Sequence, residues 1–248
     1  MKARHRIEPF ILIILILSVW QVLSVSGFIP AYMLPSPLKV VKAFCMDFKL
    51  LMFHLGLTIL EAAVGIFVSV LAGFLFAVVM DNFRFVHRMV YPLLIISQTV
   101  PTIALAPLLI LWFGYGMASK VILIVISCFF PMTISLLSGF ASVDADALKL
   151  LKSFGATKAQ VMRYVKLPAS VKSLFSGLRI SVSYSIIGAV ISEWLGGTRG
   201  LGVYMTRVKK SFAYDKLFAV IFLVSALSLL LIKLLSIIEK RICKYEKE

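Results

Sequence analysis

Residues 144–168 read DADALKLLKSFGATKAQVMRYVKLP, a polar, mostly basic stretch set between long apolar runs. Leu148, Leu151, Phe154, Val161, Met162 and Val165 fall at helical spacing on either side of Gly155. The reading is helix, glycine turn, helix. Gly155 sits where a positive φ is easily reached. Leu167-Pro168 is expected to end the second helix, because a residue before proline tends to leave the α region. The whole segment, 141–173, is long for a plain connection, and loops of that length are usually functional or disordered. Apolar periodicity on both arms argues against disorder. Two readings stay open: a docking peg for a soluble protein, or a solvated interfacial hairpin with no partner.

The flanking runs define the class. Of 248 residues, 61% are hydrophobic, against about 45–50% in soluble domains, and mean hydropathy is +1.02. The runs are continuous and about 20 residues long, enough to cross a bilayer as helices. Six spans are expected, at about 8–27, 57–80, 89–113, 119–140, 174–195 and 217–238, in a single all-α membrane domain covering 1–248. The basic start before the first span also resembles a signal peptide, although no clear cleavage site follows it.

A net charge of +15 could suggest nucleic acid. The cations lie between spans rather than along one soluble face, so no nucleic-acid partner is expected. Counting Lys and Arg by loop puts fifteen on the side of the N-terminus and nine opposite, Lys120 among the nine. That bias predicts both termini in the cytoplasm. Cys45, Cys128 and Cys243, like His5, His54 and His87, are scattered, so neither a disulfide framework nor a metal site is expected. No phosphate-cradling loop is present.

The loop after the first span contains Leu34-Pro-Ser-Pro37. Ser36 can cap a helix with Pro37 at its first position. Val40, Val41, Phe44 and Phe48 then share a face, giving either a membrane-surface helix or a connecting helix packed on the bundle.

Several residues inside the spans are candidates for a translocation pathway. Pro101 and Pro107 remove backbone donors within the third span. Gln98 is beside the first, facing the bundle interior or making an interhelical hydrogen bond. Ser135 offers a small polar group on the fourth span. Glu193 ends the fifth, either as a functional carboxylate or as an interfacial one paired with Arg199 or Arg207. Gly197 belongs to a glycine-rich turn, 196–202, suited to close backbone packing at a gate or a docked protein. Trp112 and Trp194 fit interfacial anchors.

Gly155-Ala156 and Leu167-Pro168 resemble the coupling-helix motif of the inner-membrane permease subunits of ABC importers. The Glu-Ala-Ala part of that motif is replaced here by Lys149-Leu150-Leu151. The resemblance covers nearly the whole chain and implies the type I importer permease fold. It further implies ATPase coupling through Leu151, Phe154, Gly155, Ala156, Leu167 and Pro168. Partners implied are two ABC ATPase subunits that carry ATP and Mg, an extracytoplasmic solute-binding protein, and a second permease copy, with dimerisation across the third to fifth spans. No cofactor or metal belongs to this chain and no bond chemistry is expected of it. The implied location is the bacterial inner membrane. Residues 98–116 (QTVPTIALAPLLILWFGYG) and 191–202 (ISEWLGGTRGLG) are similar to permeases for hydroxymethylpyrimidine or formylaminopyrimidine, precursors of thiamine. Riboflavin, taurine or alkanesulfonate, and nitrate are the alternatives. An intramembrane enzyme lacks a convergent nucleophile and base. A channel or secondary carrier acting alone lacks a visible internal repeat.

Overall fold

The computed structural model describes residues 4–27, 29–30 and 32–243. Every regular element among them is helical. Of the basic residues used for orientation, Lys2, Lys244 and Lys247 lie outside the described residues.

Three helices form the core. α3 (Phe48–Asn82), α6 (Met117–Ala141) and α10 (Val171–Gly196) pack together, α6 against both others. Gly65, Ser69, Gly73 and Ala77 recur every fourth residue along one face of α3 and are all buried. Small side chains let membrane helices approach closely. The approach at Gly65 tolerates no larger residue, since a Cβ there would lie 2.3 Å from Ile124 Cγ2. Along the interior, Ile124, Cys128, Ile186 and Ala189 pack as one cluster, and Met132, Leu136, Phe140 and Met162 as another nearer the 141–173 segment. α12 (Tyr214–Ile242) closes the side of the bundle against α10.

α3, α6, α10 and α12 are long and apolar enough to cross a membrane. The expected third span is not one helix. α4 (Arg84–Thr99) and α5 (Thr102–Phe113) are bent by 101° at their junction, so the pair counts as a fifth span only if taken together. Val100 and Pro101 are both extended, with ψ of 120° and 119°. Proline supplies no N–H and pushes its predecessor out of the α region, so the ladder breaks there. Pro107 stays inside α5. The first expected span appears as α1 (Arg4–Val25), whose apolar part is the shorter stretch Ile11–Val25.

α2 (Pro37–Met46) forms as expected: Ser36 accepts a hydrogen bond from Lys39 N at 3.4 Å and Pro37 opens the helix. It packs on α12 and buries Val40 and Ala43, while Val41 stays exposed, so α2 is a connecting helix held against the bundle.

Candidate functional site

Functional side chains gather at three levels. At one end of the bundle is the 141–173 hairpin. α7 (Ala145–Ser153) starts at Asp144, whose carboxylate accepts from Asp146 N at 3.0 Å. It ends in a paired reverse bond, with Gly155 N donating to Lys152 O and Ala156 N to Leu151 O, both at 3.0 Å. That closure needs a left-handed residue just past the helix, and Gly155 has φ +76°. No atom would touch a Cβ at Gly155, so backbone conformation alone demands glycine there. α8 (Lys158–Val161) opens with a reciprocal cap. Gln160 N donates to Thr157 Oγ1, and Gln160 Oε1 accepts from Thr157 N. This T-x-x-Q signal lay in the sequence and the opening reading passed over it.

The second arm does not end at Leu167-Pro168. It widens into a π-helical turn, Met162–Lys166, with Leu167 N bonded to Met162 O, and runs on through α9 (Leu167–Ala169). The turn fits the proline without breaking the helix, and Ser170, still right-handed, donates to Lys166 O and accepts from Leu174 N, carrying the chain on into α10. Leu167 packs against the Met132–Met162 cluster and so anchors the hairpin. Leu151 and Ala156 are half-buried, while Pro168 faces outward. Phe154, at the tip, is 79% exposed, with Leu150 exposed beside it. Lys166 Nζ reaches both oxygens of Asp81 at 2.6 and 2.7 Å, and Lys158 Nζ donates to Asn82 O at 3.3 Å. The hairpin is thereby fastened to the end of α3.

Midway along the bundle, Gln98 and Pro101 line an open groove of about 280 Å³ with Ser127, Tyr184 and Gly188, and Gln98 is exposed in it rather than turned into the bundle interior or bonded to another helix among the described residues. The break at Pro101 shapes one wall. Pro107 and Ser135 are not among the lining residues. Ser135 instead sits at the α6–α10 crossing, where its Cβ would lie 2.9 Å from a Cβ on Gly177. Tyr184 was not foreseen from sequence.

At the far end, Glu193 is 1% exposed and fully engaged. Its Oε1 accepts from Thr58 Oγ1 at 2.7 Å and its Oε2 from Gly202 N at 2.6 Å. Neither expected arginine is its partner. Arg207 donates to Thr198 O, and Arg199 lies over the Phe53 ring. Leu201 N donates to Thr58 Oγ1 and Gly200 N to His54 Nδ1, both at 3.0 Å. Three successive backbone N–H groups, at the start of α11 (Leu201–Lys210), are thus held by side chains of α3 and α10. His54 Nδ1 accepts, which leaves the ring proton on Nε2. Gly200, at φ +119°, is required twice over, because a Cβ would lie 2.1 Å from Glu193 Oε1. A Cβ on Gly197 would lie 2.4 Å from Val203 Cγ2, so this turn is closely packed.

Beside Glu193 is an ion pair the opening reading missed. Lys120 Nζ is 2.6 Å from Glu61 Oε1, with both side chains buried, so Lys120 is a core residue and not a loop charge. Glu61 Oε2 is also buried and has no hydrogen-bond partner among the described residues. The available signal was Glu61 itself, a lone acid inside an apolar run.

α11 is tethered again at Asp47, whose carboxylate accepts from Tyr204 OH and from Lys216 Nζ at 2.7 Å. Burial pushes the Asp47 carboxyl up, but the hydrogen bonds from Lys216 and Tyr204 and the Lys216 charge outweigh it and hold it below its ordinary value. A lowered carboxyl contributes stability above its unfolded pKa of about 3.9, lost as pH falls through the folded value. The protection factor of α11 near Tyr204, with the intrinsic pH dependence of amide exchange divided out, should therefore fall once the pH drops below about 4. The same acid response in an Asp47→Asn variant would contradict the tether.

The family described as "Binding-protein-dependent transport system inner membrane component" matches residues 65–244. A "Probable ABC transporter permease protein" of Haemophilus influenzae is 36% identical over 225 residues, covering 91% of this chain and 92% of that protein. The formylaminopyrimidine transport permease protein of Halalkalibacterium halodurans is 36% identical over 230 residues, covering 92% of each. A chain in the crystal structure of an amino acid ABC transporter superposes with a TM-score of 0.67 at 20% identity, covering 80% of this chain and 96% of that one, which shows a shared fold. With its apolar helices and its exposed hairpin, the chain belongs to the binding-protein-dependent inner-membrane transport family and is a permease subunit of an ABC importer.

Proposed function

We propose that this permease imports a pyrimidine precursor of thiamine, hydroxymethylpyrimidine or formylaminopyrimidine. The observation that carries the reading is the 36% identity, over nearly the full length of both chains, to a formylaminopyrimidine permease. Substrate is delivered by an extracytoplasmic binding protein and crosses near Gln98 and Pro101, in a pathway completed by a second copy of this chain. Exposed apolar residues of α5 and α10, among them Ile103, Leu111 and Ile187, support pairing along that side. Two ATPase subunits, holding ATP and Mg, dock on the hairpin around Phe154 and Gly155, in a bacterial inner membrane with both termini cytoplasmic. ATP drives transport only by favouring one permease conformation over another. Pro107 and Ser135 shape the helices that line the route. Glu193 and Gly197 hold the outer gate closed through α11.

The test is uptake of each labelled pyrimidine by cells expressing this chain with its ATPase and binding protein, with riboflavin, taurine and nitrate as competitors. Saturable pyrimidine uptake that none of the three displaces is the expected result. Transport of a competitor in place of the pyrimidines would overturn the substrate and leave the importer role standing.

A further inference from the structure

The hairpin is half of a larger surface. A groove of about 630 Å³ runs between it and the α3–α4 turn. Leu148 and Val161 line the hairpin side, and Phe83 and Phe85 the side of the turn. Phe83 is 58% and Phe85 74% exposed, so three large aromatic side chains, with Phe154, stand free at this end of the bundle.

The charge of the groove is one-sided. Arg84, Lys152, Lys158 and Lys166 line it with one carboxylate, Asp81. Asp81 is already held through both oxygens by Lys166. Lys158 gives one bond to the Asn82 carbonyl, an acceptor that neutralises nothing. Arg84 and Lys152 have no partner among the described residues, and both are exposed. An apolar floor with unneutralised cations at its rim fits a segment that presents carboxylates beside apolar side chains.

Resting on the hairpin as the ATPase dock, we propose that the dock extends over the α3–α4 turn, and that this groove receives an acidic, apolar segment of the same ATPase subunit. The groove is continuous with the hairpin, and the Asp81–Lys166 pair makes the two one body. A subunit seated across both pushes on α3 directly, through its own end, as well as through the hairpin. α3 packs extensively against α6, so the push is delivered to the bundle core.

The test uses the full complex in detergent, with R84E/K152E as the altered groove and Phe154→Asp as the altered tip. Retention of the ATPase by the groove variant should fall by about tenfold or more at moderate salt, because like charges meet across the contact. A photo-crosslinker placed at Phe83 in the otherwise unaltered complex should capture the ATPase subunit, which reads the contact even if the groove variant is poorly folded. Normal retention by R84E/K152E with loss in Phe154→Asp, or capture of lipid alone at Phe83, would overturn the extended dock and leave the hairpin reading intact. Normal retention by both variants would overturn both readings.

Discussion

Lys120→Met is expected to destabilise the folded bundle by about 3–5 kcal/mol, the usual result of removing one partner from a buried ion pair. Lys120 Nζ is 2.6 Å from Glu61 Oε1, and both side chains are almost fully shielded. The second oxygen of Glu61 is buried and, among the described residues, has no hydrogen-bond donor. Truncating Lys120 therefore leaves a carboxylate with no partner in a medium that cannot solvate it. Replacing both partners by apolar side chains is often neutral or better, so E61M/K120M should recover most of the loss. The measurement is the thermal unfolding midpoint of purified protein in detergent. Equal midpoints for the single and double variants would show that the pair contributes nothing through its charge. Glu193 would feel the change, since its carboxylate faces the same cluster and orders the start of α11 through Gly202.

Gly155→Val is expected to abolish ATP-driven uptake while the bundle remains folded. Gly155 has φ +76° and open space where a side chain would go, so the penalty is conformational. A left-handed residue with a Cβ costs about 1–2 kcal/mol, and β-branching makes it worse. The hairpin relieves that strain by losing the Gly155–Lys152 and Ala156–Leu151 closure, which swings Phe154 away from its present position. Gly155→Asn, which tolerates a left-handed backbone, should keep most of the uptake. Uptake by the valine variant equal to the asparagine variant would remove the turn from the account.

What sequence could and could not carry follows from range. Ser36-Pro37 capped α2 as read, because cap and helix are neighbours in the chain. Gly155 was legible for the same reason, and Thr157-x-x-Gln160 was equally local. The 101° break was not legible as a break. Prolines stand inside α4 at Pro92, α5 at Pro107 and α6 at Pro131 without ending them, so a proline by itself does not mark the break at Pro101. Likewise the π turn that absorbs Pro168 depends on Leu167 being anchored in the core. The cluster around Glu193 joins residues far apart in the chain. Glu61 and Lys120 are 59 positions apart, and Thr58 and Glu193 are 135. Each looked local until the helices were brought together. Counting charge by loop misassigned Lys120, because a residue at the start of a span can turn inward to a buried acid as easily as outward to water.

The most direct test is pyrimidine accumulation in proteoliposomes holding this chain with its ATPase, with binding protein outside and ATP reaching the ATPase. The account predicts accumulation that requires ATP, the ATPase and the binding protein together, and that the Gly155→Val permease does not support. Accumulation by this chain alone, with no ATPase present, would contradict it.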